Sequence, residues 1–444
     1  MTRRTILKAT ALILVGFSLV TTFSVTRYVL AHPNEPLQQN VASWARNNGM
    51  GAIVDQLEVW LHDEPPAVAP VDTLALVPFD TDPPQASTTL PEENAATTTT
   101  QIPENTAPAV RRPVKATQSC PAATNVVTTT LAPGATTTTT TSTTTTTTST
   151  LPGETTTTTT TTIPARPADV EAIISPAIKD EGTWRAVAKV RKEPMIYATS
   201  IRPLWCYGSV VATMATYDPT KVRAALFNGT EVPGGKGWKN TSSIRGSAVR
   251  SLIASFNGGF RFEHNPGGYV TEGRTIRKMR KGYATFGIRP DGTSIIGIWG
   301  EDMKADEEWS SLRQNLPPLV DENKSVYASY KAVDWGQDFD NKVFSYRSAV
   351  CLRMDGLMMF VAVGKVNIGM LADTLVFLGC RTAMQLDING TWPFFSTYSN
   401  FGKTDRRGRT IDIRMGDPDR HLNGATKDFI GLFDPQTLKP GALK

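Results

Sequence analysis

A threonine-rich middle segment limits how much of this chain can fold. Residues 136–148 and 155–162 are almost entirely threonine, and residues 65–167 are short, polar or interrupted by proline almost throughout. A segment of this composition buries too little apolar surface to offset the entropy lost on folding. Of the 444 residues, a short N-terminal part and residues 168–436 therefore remain as candidates for a packed structure.

The threonine-rich segment is best interpreted as a spacer. Threonine is polar and β-branched, and without apolar partners it favours an extended, hydrated chain over a sheet. We expect residues 65–167 to form a disordered linker that holds the C-terminal domain away from a membrane. Such tracts are also candidates for O-glycosylation outside the cell.

The first 31 residues resemble an export or anchoring segment. Arg3, Arg4 and Lys8 precede an apolar run from Ala9 to about Val25. This run approaches the ~18 residues that cross a bilayer, and the preceding basic residues predict a cytoplasmic N-terminus. A cleaved signal peptide is the alternative, but the length of the run favours an uncleaved anchor. Either interpretation places the rest of the chain outside the cytoplasm, as a single-pass membrane protein or a secreted one.

Residues 32–64 contain apolar side chains at helical spacing. Gly49 and Gly51 are expected to divide this part into two short helices. We interpret it as an amphipathic juxtamembrane segment that rests on the membrane or on the globular domain. Binding to a specific partner is the alternative.

The C-terminal domain, residues 168–436, alternates short apolar runs with turn residues and is followed by a tail at 437–444. Asp291-Gly292 and Asp355-Gly356 separate paired runs, which is a strong hairpin signal. One helix is predicted from Ile368 to Leu378, with Gly379 as its C-terminal stop. The pattern predicts an α/β (mixed α+β) class, with a mixed β-sheet and packed helices. The predicted strands are Met195–Ile201, Ser209–Thr216, Ala224–Phe227, Ser251–Phe256, Ala284–Ile288, Ser294–Trp299, Ala349–Met354, Leu357–Val363 and Ala383–Ile388.

The four cysteines do not form a zinc motif. Cys120, Cys206, Cys351 and Cys380 are far apart in sequence, and no closely spaced cysteine or histidine pair is present. Export permits disulfides, and three pairings are possible. Cys351 and Cys380 both lie in or beside predicted strands, so we favour that pair. Cys120 would then pair with Cys206 or with another chain.

Charge and motifs exclude several functions. The net charge of +5 favours anionic ligands but is too small to indicate nucleic acid, and no RNA-binding or zinc-finger pattern is present. The nucleophile elbow, the phosphate-binding loop and the dinucleotide fingerprint are all absent. No metal site or cofactor is predicted. Asp and Asn side chains could bind a divalent cation, but no ligand spacing demands one.

Two glycine-rich loops carry candidate site residues. Asn257 and Gly258 follow a predicted strand, where glycine lets backbone amides approach a ligand closely. Glu272 lies in the second loop, two residues before Arg274, in a setting that suits an acid/base group. Arg274 opens a run of five basic residues that ends at Lys281. This run could face phosphate groups or could be a solvated edge strand protected by its charge.

Three further candidates lie near the ends of predicted strands. Arg347 opens one strand, where its guanidinium could clamp a phosphate or form a surface ion pair. Asp387 nearly ends a buried strand, just before Asn389 and Trp392. Sites are often built at the carboxyl ends of strands, so Asp387 is a candidate catalytic carboxylate. Trp392 could stack on a sugar ring or pack in the core.

Eight short motifs follow one another along the C-terminal domain. They are Asn257-Gly258-Gly259-Phe260, Glu272-Gly273-Arg274-Thr275, Asp291-Gly292, Trp299-Gly300, Arg313-Gln314-Asn315-Leu316, Trp335-Gly336, Arg347-Ser348-Ala349 and Ala383-Met384-Gln385-Leu386-Asp387-Ile388-Asn389. Taken in this order, the motifs resemble the phosphodiester glycosidase family, and in particular its exported actinobacterial branch, over roughly residues 195–436. Ile388 and Asn389 stand where many members have consecutive glycines, and Cys351 stands where a glycine is usual.

The resemblance implies a cell-envelope hydrolase that removes a sugar from a sugar–phosphate diester. A polar pocket around Asn257, Glu272, Arg347 and Asp387 is implied, with acid/base work shared by the two carboxylates. Arg347 and Arg274 would hold the phosphate. A non-catalytic module that binds an anionic envelope glycopolymer is the alternative. A third possibility is an adhesin or assembly factor in which the anchor and the linker carry the function.

Overall fold

The computed structural model describes residues 20–31, 37–62, 64–76, 144–146, 158–160, 163–335, 343–388 and 393–444. Most of the predicted membrane segment and Cys120 lie outside these residues, as do Asn389 and Trp392. Residues 20–31 are helical. Within the described part of the chain, every helix falls short of the length and apolar character needed to cross a bilayer.

Two helices follow, Leu37–Ala45 and Gly51–His62. They are joined across Arg46–Met50, where Gly49 adopts a φ of 80° and breaks the helical path. Trp44 is buried, and its Nε1 donates a hydrogen bond of 3.0 Å to Ser24 Oγ. The pair of helices therefore packs against the helical residues 20–31.

Residues 64–76 lie against the globular domain, although their composition assigned most of them to the linker. Val71 N donates to Gly208 O, and Gly208 N donates to Val68 O, both at 3.1 Å. Ile413 N donates to Ala75 O at 3.0 Å. The two bonds made by Gly208 are possible because this residue has no Cβ. An added Cβ would lie 2.5 Å from Pro70 Cα.

Two short threonine strands pair within the linker region. Thr144–Thr146 pairs antiparallel with Thr158–Thr160, whereas the composition predicted an extended chain without a sheet. The high strand propensity of β-branched residues accounts for the difference.

The globular domain contains a central eight-stranded sheet. Its strands, in spatial order, are Lys324–Ser325, Val320–Asp321, Cys380–Ile388, Ser345–Arg353, Met358–Val366, Ala212–Tyr217, Glu193–Ile201 and Arg185–Val190.

Two five-stranded sheets complete the domain. The second sheet has the order Ser294–Ile298, Ala284–Ile288, Ser311–Gln314, Tyr269–Thr271 and Arg274–Arg277. The third sheet has the order Gly408–Thr410, Phe395–Tyr398, Leu252–Asn257, Phe429–Phe433 and Arg223–Phe227.

Helices are few. The predicted helix is present as Ile368–Phe377, where Asn367 Oδ1 accepts a 2.9 Å bond from Met370 N at its N-terminus. The strands before and after this helix are separated by Ser345–Arg353, so each pairs antiparallel with that strand instead of with the other. The class is therefore α+β and strand-rich. Short helical segments are Ala248–Ser251, Phe262–His264, Tyr327–Ser329, Ala332–Trp335 and Arg420–Asn423.

The core lies between the sheets and beneath the long helix. Phe256, Phe360 and Phe395 pack together with ring centroids 5.4–5.9 Å apart. On the other face of the central sheet, Leu371 and Leu375 of the helix are fully buried. This packing fixes the strand ends, where the polar side chains described below meet.

Both hairpins and one disulfide confirm predictions from the sequence. Gly292 and Gly356 adopt φ values of 90° and 83° in turns between antiparallel strands. Cys351 and Cys380 form a disulfide. The prediction for Cys120 concerns a residue outside the described part of the chain.

Candidate active site

Strand ends from all three sheets meet at one place. Asn257 ends a strand of the third sheet, Asp387 is the penultimate residue of a central strand, and Arg313 is the penultimate residue of a second-sheet strand. Lys427 and Asp428 directly precede the strand Phe429–Phe433. The antiparallel pairing of Phe429 with Asn257 brings these two charged residues to the same edge.

Gly258 connects the third sheet with the central sheet through its backbone. Asp387 N donates to Gly258 O at 3.1 Å, and Gly258 N donates to Asp428 O at 2.9 Å. An added Cβ on Gly258 would lie 2.2 Å from Asp428 Oδ2. Glycine is therefore required here for close approach, because any side chain would push the charged residues apart.

Two buried ion pairs involve adjacent residues. Lys427 Nζ lies 2.6 Å from Asp387 Oδ2, and these side chains are 11% and 5% exposed. Arg313 binds Asp428 in a bidentate manner, with Nε–Oδ2 and Nη2–Oδ1 distances of 2.8 and 3.0 Å. Burial tends to lower the pKa of Arg313, but the charge of Asp428 raises it above its usual value.

Asp387 is a buried carboxylate among cations. Its Oδ1 accepts a 2.9 Å bond from Ile388 N, and its Oδ2 faces Lys427. Burial raises the pKa of Asp387, while the charges of Lys427 and Arg261 and the bond from Ile388 lower it in part. Arg261 itself forms an ion pair with Glu231. A raised pKa is the direction that favours an acid/base role for a carboxylate.

Asn257 is held beside Asp387 by a serine. Asn257 Nδ2 donates to Ser348 Oγ at 3.1 Å, and Ser348 Oγ donates to the backbone oxygen of Asp387 at 2.6 Å. Asn257 Oδ1 accepts a 2.9 Å bond from Phe394 N. The structure therefore brings the predicted residues Asn257, Gly258 and Asp387 together.

Arg347, adjacent to Ser348, is a buried cation. Its Nε donates to Val366 O at 2.8 Å and its Nη2 to Val343 O at 3.0 Å. Only 1% of the residue is exposed, and burial lowers its pKa to about 10. Among the described residues, no carboxylate forms an ion pair with Arg347. It therefore lies inside the domain and does not form the surface ion pair that was the alternative.

Glu272 and Arg274 lie at a separate hairpin. Glu272 adopts a φ of 51° and accepts bonds from Lys239 N and Asn240 N, the shortest being 2.8 Å for each. Arg274 donates to Lys236 O and Gly237 O at 3.2 and 2.7 Å. Both side chains therefore fix the loop at residues 236–240, and neither forms a hydrogen bond with Asp387 in the described structure.

A buried polar chain connects this hairpin with the strand ends. Asn228 Nδ2 lies 3.5 Å from Glu272 Oε1, and Tyr269 donates its hydroxyl hydrogen to Asn228 Oδ1 at 2.8 Å. Arg313 lies over the Tyr269 ring, 5.3 Å from its centroid. The two regions are therefore neighbours, separated by Asn228 and Tyr269.

Sequence reasoning missed four charged residues of the site: Arg261, Arg313, Lys427 and Asp428. Arg313 stands in a motif that carried the family resemblance, so a signal was present. Lys427 and Asp428 form a charged pair directly before the apolar run Phe429–Phe433, whereas Asp387 drew attention at the carboxyl end of its strand. In the part of the chain that the structure describes, no group of three His, Cys, Asp or Glu side chains is placed to hold a metal ion.

The fold and the buried charges define a strand-rich α+β domain with a polar site where its three sheets meet. Residues 250–387 match the sequence model of the family described as phosphodiester glycosidase. The matched range includes Asn257, Arg313, Arg347 and Asp387. No curated protein sequence matches the chain significantly.

Two solved structures are among those similar to this chain. One is the zebrafish N-acetylglucosamine-1-phosphodiester alpha-N-acetylglucosaminidase catalytic domain, auto-inhibited by its pro-peptide, with 17% identity, a TM-score of 0.37 and coverage of 56% of this chain and 87% of that chain. The other is a hypothetical protein from Synechocystis, with 13% identity, a TM-score of 0.35 and coverage of 56% and 64%.

Proposed function

We propose that the protein is a cell-envelope hydrolase that cleaves the bond between a sugar and a phosphodiester. The observation that carries the proposal is a buried carboxylate, Asp387, surrounded by cations where strands of three sheets end, within the range of the family match. The basic and apolar N-terminal segment supports a location outside the cytoplasm, either anchored in the membrane or secreted.

In the proposed reaction, a water oxygen forms a bond with the anomeric carbon of the sugar. The bond between that carbon and the phosphate oxygen breaks, and its electron pair stays with the phosphate. One proton of the water passes to Asp387 and returns to solvent. The products are a reducing sugar and a phosphate monoester, so no oxidant, reductant or cofactor is required.

The leaving group explains why cations lie next to the carboxylate at this site. A phosphate monoester has a second pKa of about 6, so it can depart as an anion with little help from an acid. Ordinary glycosides lose an alkoxide and therefore need a protonated carboxylic acid. The greater need here is for positive charge, which Lys427 and Arg261 supply beside Asp387. Arg347, which precedes Ser348 in the chain, is a further buried cation, but its guanidinium donates to the backbone of Val366 and Val343, so its proposed role as a phosphate clamp stays a prediction.

We assign the remaining roles as follows. Asn257 orients the substrate, because its amide is fixed between Ser348 and the backbone of Phe394. Gly258 allows the close approach of Asp428 and accepts a bond from Asp387 N, so its part in substrate binding is to position these residues. Arg274 contributes positive charge beside the site, and Asn389 and Trp392, which follow Asp387 in the chain, are proposed to contact the sugar.

The acid/base role predicted for Glu272 stays a prediction. Its carboxylate accepts bonds from two backbone amides of the neighbouring loop, which favours a positioning role. Glu231, which is paired with Arg261 close to Asp387, is a competing second carboxylate. Substituting each with glutamine would distinguish these assignments.

The proposal is tested by hydrolysis of a glycosyl phosphate methyl ester in ¹⁸O-labelled water. Cleavage between carbon and oxygen places the label in the released sugar, whereas cleavage between phosphorus and oxygen places it in the phosphate. We expect labelled sugar with the wild-type protein and a loss of roughly 10³-fold in kcat/KM for Asp387→Asn.

Asp306→Asn, at an exposed position, is the matched control and should retain wild-type activity. Equal activity of Asp387→Asn and wild type would remove Asp387 from its role, and labelled phosphate would replace the glycosidase with a phosphodiesterase.

A non-catalytic module that binds an anionic glycopolymer is the second candidate. This function is favoured because both carboxylate oxygens of Asp387 already have partners within the protein, Lys427 Nζ and Ile388 N. The side chain of Asp387 is also only 5% exposed. Calorimetry would support this function if glycosyl phosphodiesters bound without any release of sugar.

A further inference from the structure

Seven cations lie together at the hairpin next to the proposed active site. We define the basic edge as Lys236, Lys239, Arg274, Arg277, Lys278, Arg280 and Lys281. Residues 236–239 and 274–281 contain these seven cations and no Asp or Glu. Six of the seven are exposed, and Arg277 is half-buried. Arg274–Arg277 is also the outermost strand of the second sheet.

The arginines of the basic edge are ordered by aromatic rings. The guanidinium carbon of Arg274 lies 4.3 Å from the Trp238 ring centroid, that of Arg277 lies 4.5 Å from Phe262, and that of Arg280 lies 5.1 Å from Tyr283. Arg277 Nη1 also donates to Phe262 O at 3.0 Å. Stacking holds the charges in place without neutralising them.

The positive charge of the basic edge is not neutralised within the protein. In the described structure, none of its seven cations forms an ion pair with a carboxylate. The nearest carboxylate in sequence, Glu272, is occupied by the backbone amides of Lys239 and Asn240. Flexible lysines alone would protect an edge strand from pairing. Three stacked arginines exceed that requirement and indicate a surface organised to bind anions.

The basic edge continues into the proposed active site. Phe262 lies under Arg277 at 4.5 Å and within 5.7 Å of the guanidinium carbon of Arg313, which binds Asp428 beside Lys427. A chain with regularly spaced negative charges could therefore occupy the edge while its sugar end lies at Asp387. A substrate with a single phosphate group carries too little negative charge to contact seven additional cations.

We propose that the basic edge binds the phosphate groups of a phosphodiester-linked glycopolymer, so that the substrate is a polymer end and not a small glycosyl phosphate. The assignment of Asp387 as the reacting end rests on the proposed function, whereas polymer binding at the edge does not. Binding of a polyanion releases counterions, so its affinity should fall steeply as salt concentration rises.

The test compares two probes on the full-length chain, a long poly(glycerol phosphate) and the corresponding single glycerol phosphodiester. Neither contains a glycosyl phosphate bond, so binding is measured without turnover. We expect the polymer to bind more tightly per molecule and with the steeper salt dependence. The double variant Lys278→Gln, Lys281→Gln should weaken polymer binding roughly tenfold and reduce the slope of log Kd against log salt by about 1–2.

The matched control is Lys403→Gln, Lys439→Gln, which removes the same charge from two exposed positions outside the basic edge. It should bind the polymer with an affinity within about twofold of wild type, since surface charges away from a contact have little effect. Equal losses in the two double variants would show a general charge effect and overturn the proposal. Equal affinity of wild type and the Lys278/Lys281 variant would also overturn it.

A single-stranded DNA of matched length serves as the third probe. DNA binding as tight as polymer binding, with the same dependence on Lys278 and Lys281, would overturn the assignment to a glycopolymer. The active-site proposal fails separately: no release of sugar from any glycosyl phosphodiester would refute hydrolysis, while edge-dependent polymer binding would still support the basic edge.

Discussion

Two carboxylates, Asp387 and Glu272, are both candidates for acid/base work from the sequence but lie in opposite surroundings in the structure. Asp387 is 3% exposed, and its carboxylate faces the ammonium of Lys427. Glu272 is half-buried on a hairpin with a positive φ, and its oxygens accept backbone N–H groups. The comparison teaches that a polar residue beside a glycine indicates a turn. Whether a carboxylate can act as an acid or a base depends on which charged residues, distant in sequence, the fold brings next to it.

The largest expected difference between the two regions concerns their arginines. Removing one partner of a buried ion pair leaves an uncompensated charge, so Arg313→Met should lower the free energy of unfolding by about 3–5 kcal/mol. Arg274→Met at the exposed hairpin removes a cation–π contact and should cost at most about 1 kcal/mol. Urea denaturation of both variants measures the difference. Similar losses of unfolding free energy in the two variants would mean that the buried ion pair of Arg313 stabilises the domain no more than the exposed contact of Arg274 does.

Substitutions of one glycine in each region test the same difference with a smaller expected effect. A methyl group at Gly258 would approach Asp428 Oδ2 to 2.2 Å, so Gly258→Ala should destabilise the domain by about 1–3 kcal/mol and disturb the ion pairs. Gly273 has a φ of 72° with nothing within 4 Å of an added Cβ. Gly273→Ala should therefore cost about 1 kcal/mol from backbone strain alone. Thermal unfolding and sugar release should both separate these variants, and a Gly258→Ala variant with native stability would contradict the close packing.

The sequence was informative where the signal is local. Asp291-Gly292 and Asp355-Gly356 form the predicted turns, because a tight hairpin turn depends on the φ values of its own residues. The helix Ile368–Phe377 was likewise predicted, because its apolar spacing and its following glycine are contained in one segment.

The charged partners of the site could not be found in the same way. Lys427 meets Asp387 only because Phe429–Phe433 pairs with Leu252–Asn257, and these strands are about 170 residues apart in sequence. Such a pairing leaves no periodic pattern near either residue. Residues 64–76 illustrate a related difficulty, since a polar, proline-containing segment can still dock when another surface accepts its backbone.

Kinetics of Glu272→Gln would test the comparison directly. The variant keeps an oxygen that can accept a backbone hydrogen bond but loses the charge. A positioning role predicts a loss of kcat/KM below about tenfold, whereas an acid/base role predicts roughly 10²–10⁴-fold. Glu308→Gln, at an exposed position, is the matched control and should behave as wild type. A loss above a hundredfold would restore Glu272 as a catalytic carboxylate.

The smallest expected effect is a change in pH dependence at Asp387. As a base, Asp387 must be ionised, so activity should fall as pH drops through its pKa, which burial raises above the usual value for aspartate. The charge of Lys427 opposes this rise. Lys427→Met should therefore move the acidic limb of the kcat/KM profile to higher pH, while Lys427→Arg should leave it closer to the wild-type position.

Stability provides a second measurement of the same group. Because the pKa of Asp387 is higher in the folded state than in the unfolded state, the folded protein binds the extra proton between those two values. Its contribution to the free energy of unfolding is therefore present below the unfolded pKa and is lost as pH rises through the folded pKa. Asp387→Asn should remove this dependence, and Lys427→Met should extend it to higher pH. If the acidic limb and the stability profile of Lys427→Met both coincide with those of the wild type, then Lys427 does not control the ionisation of Asp387.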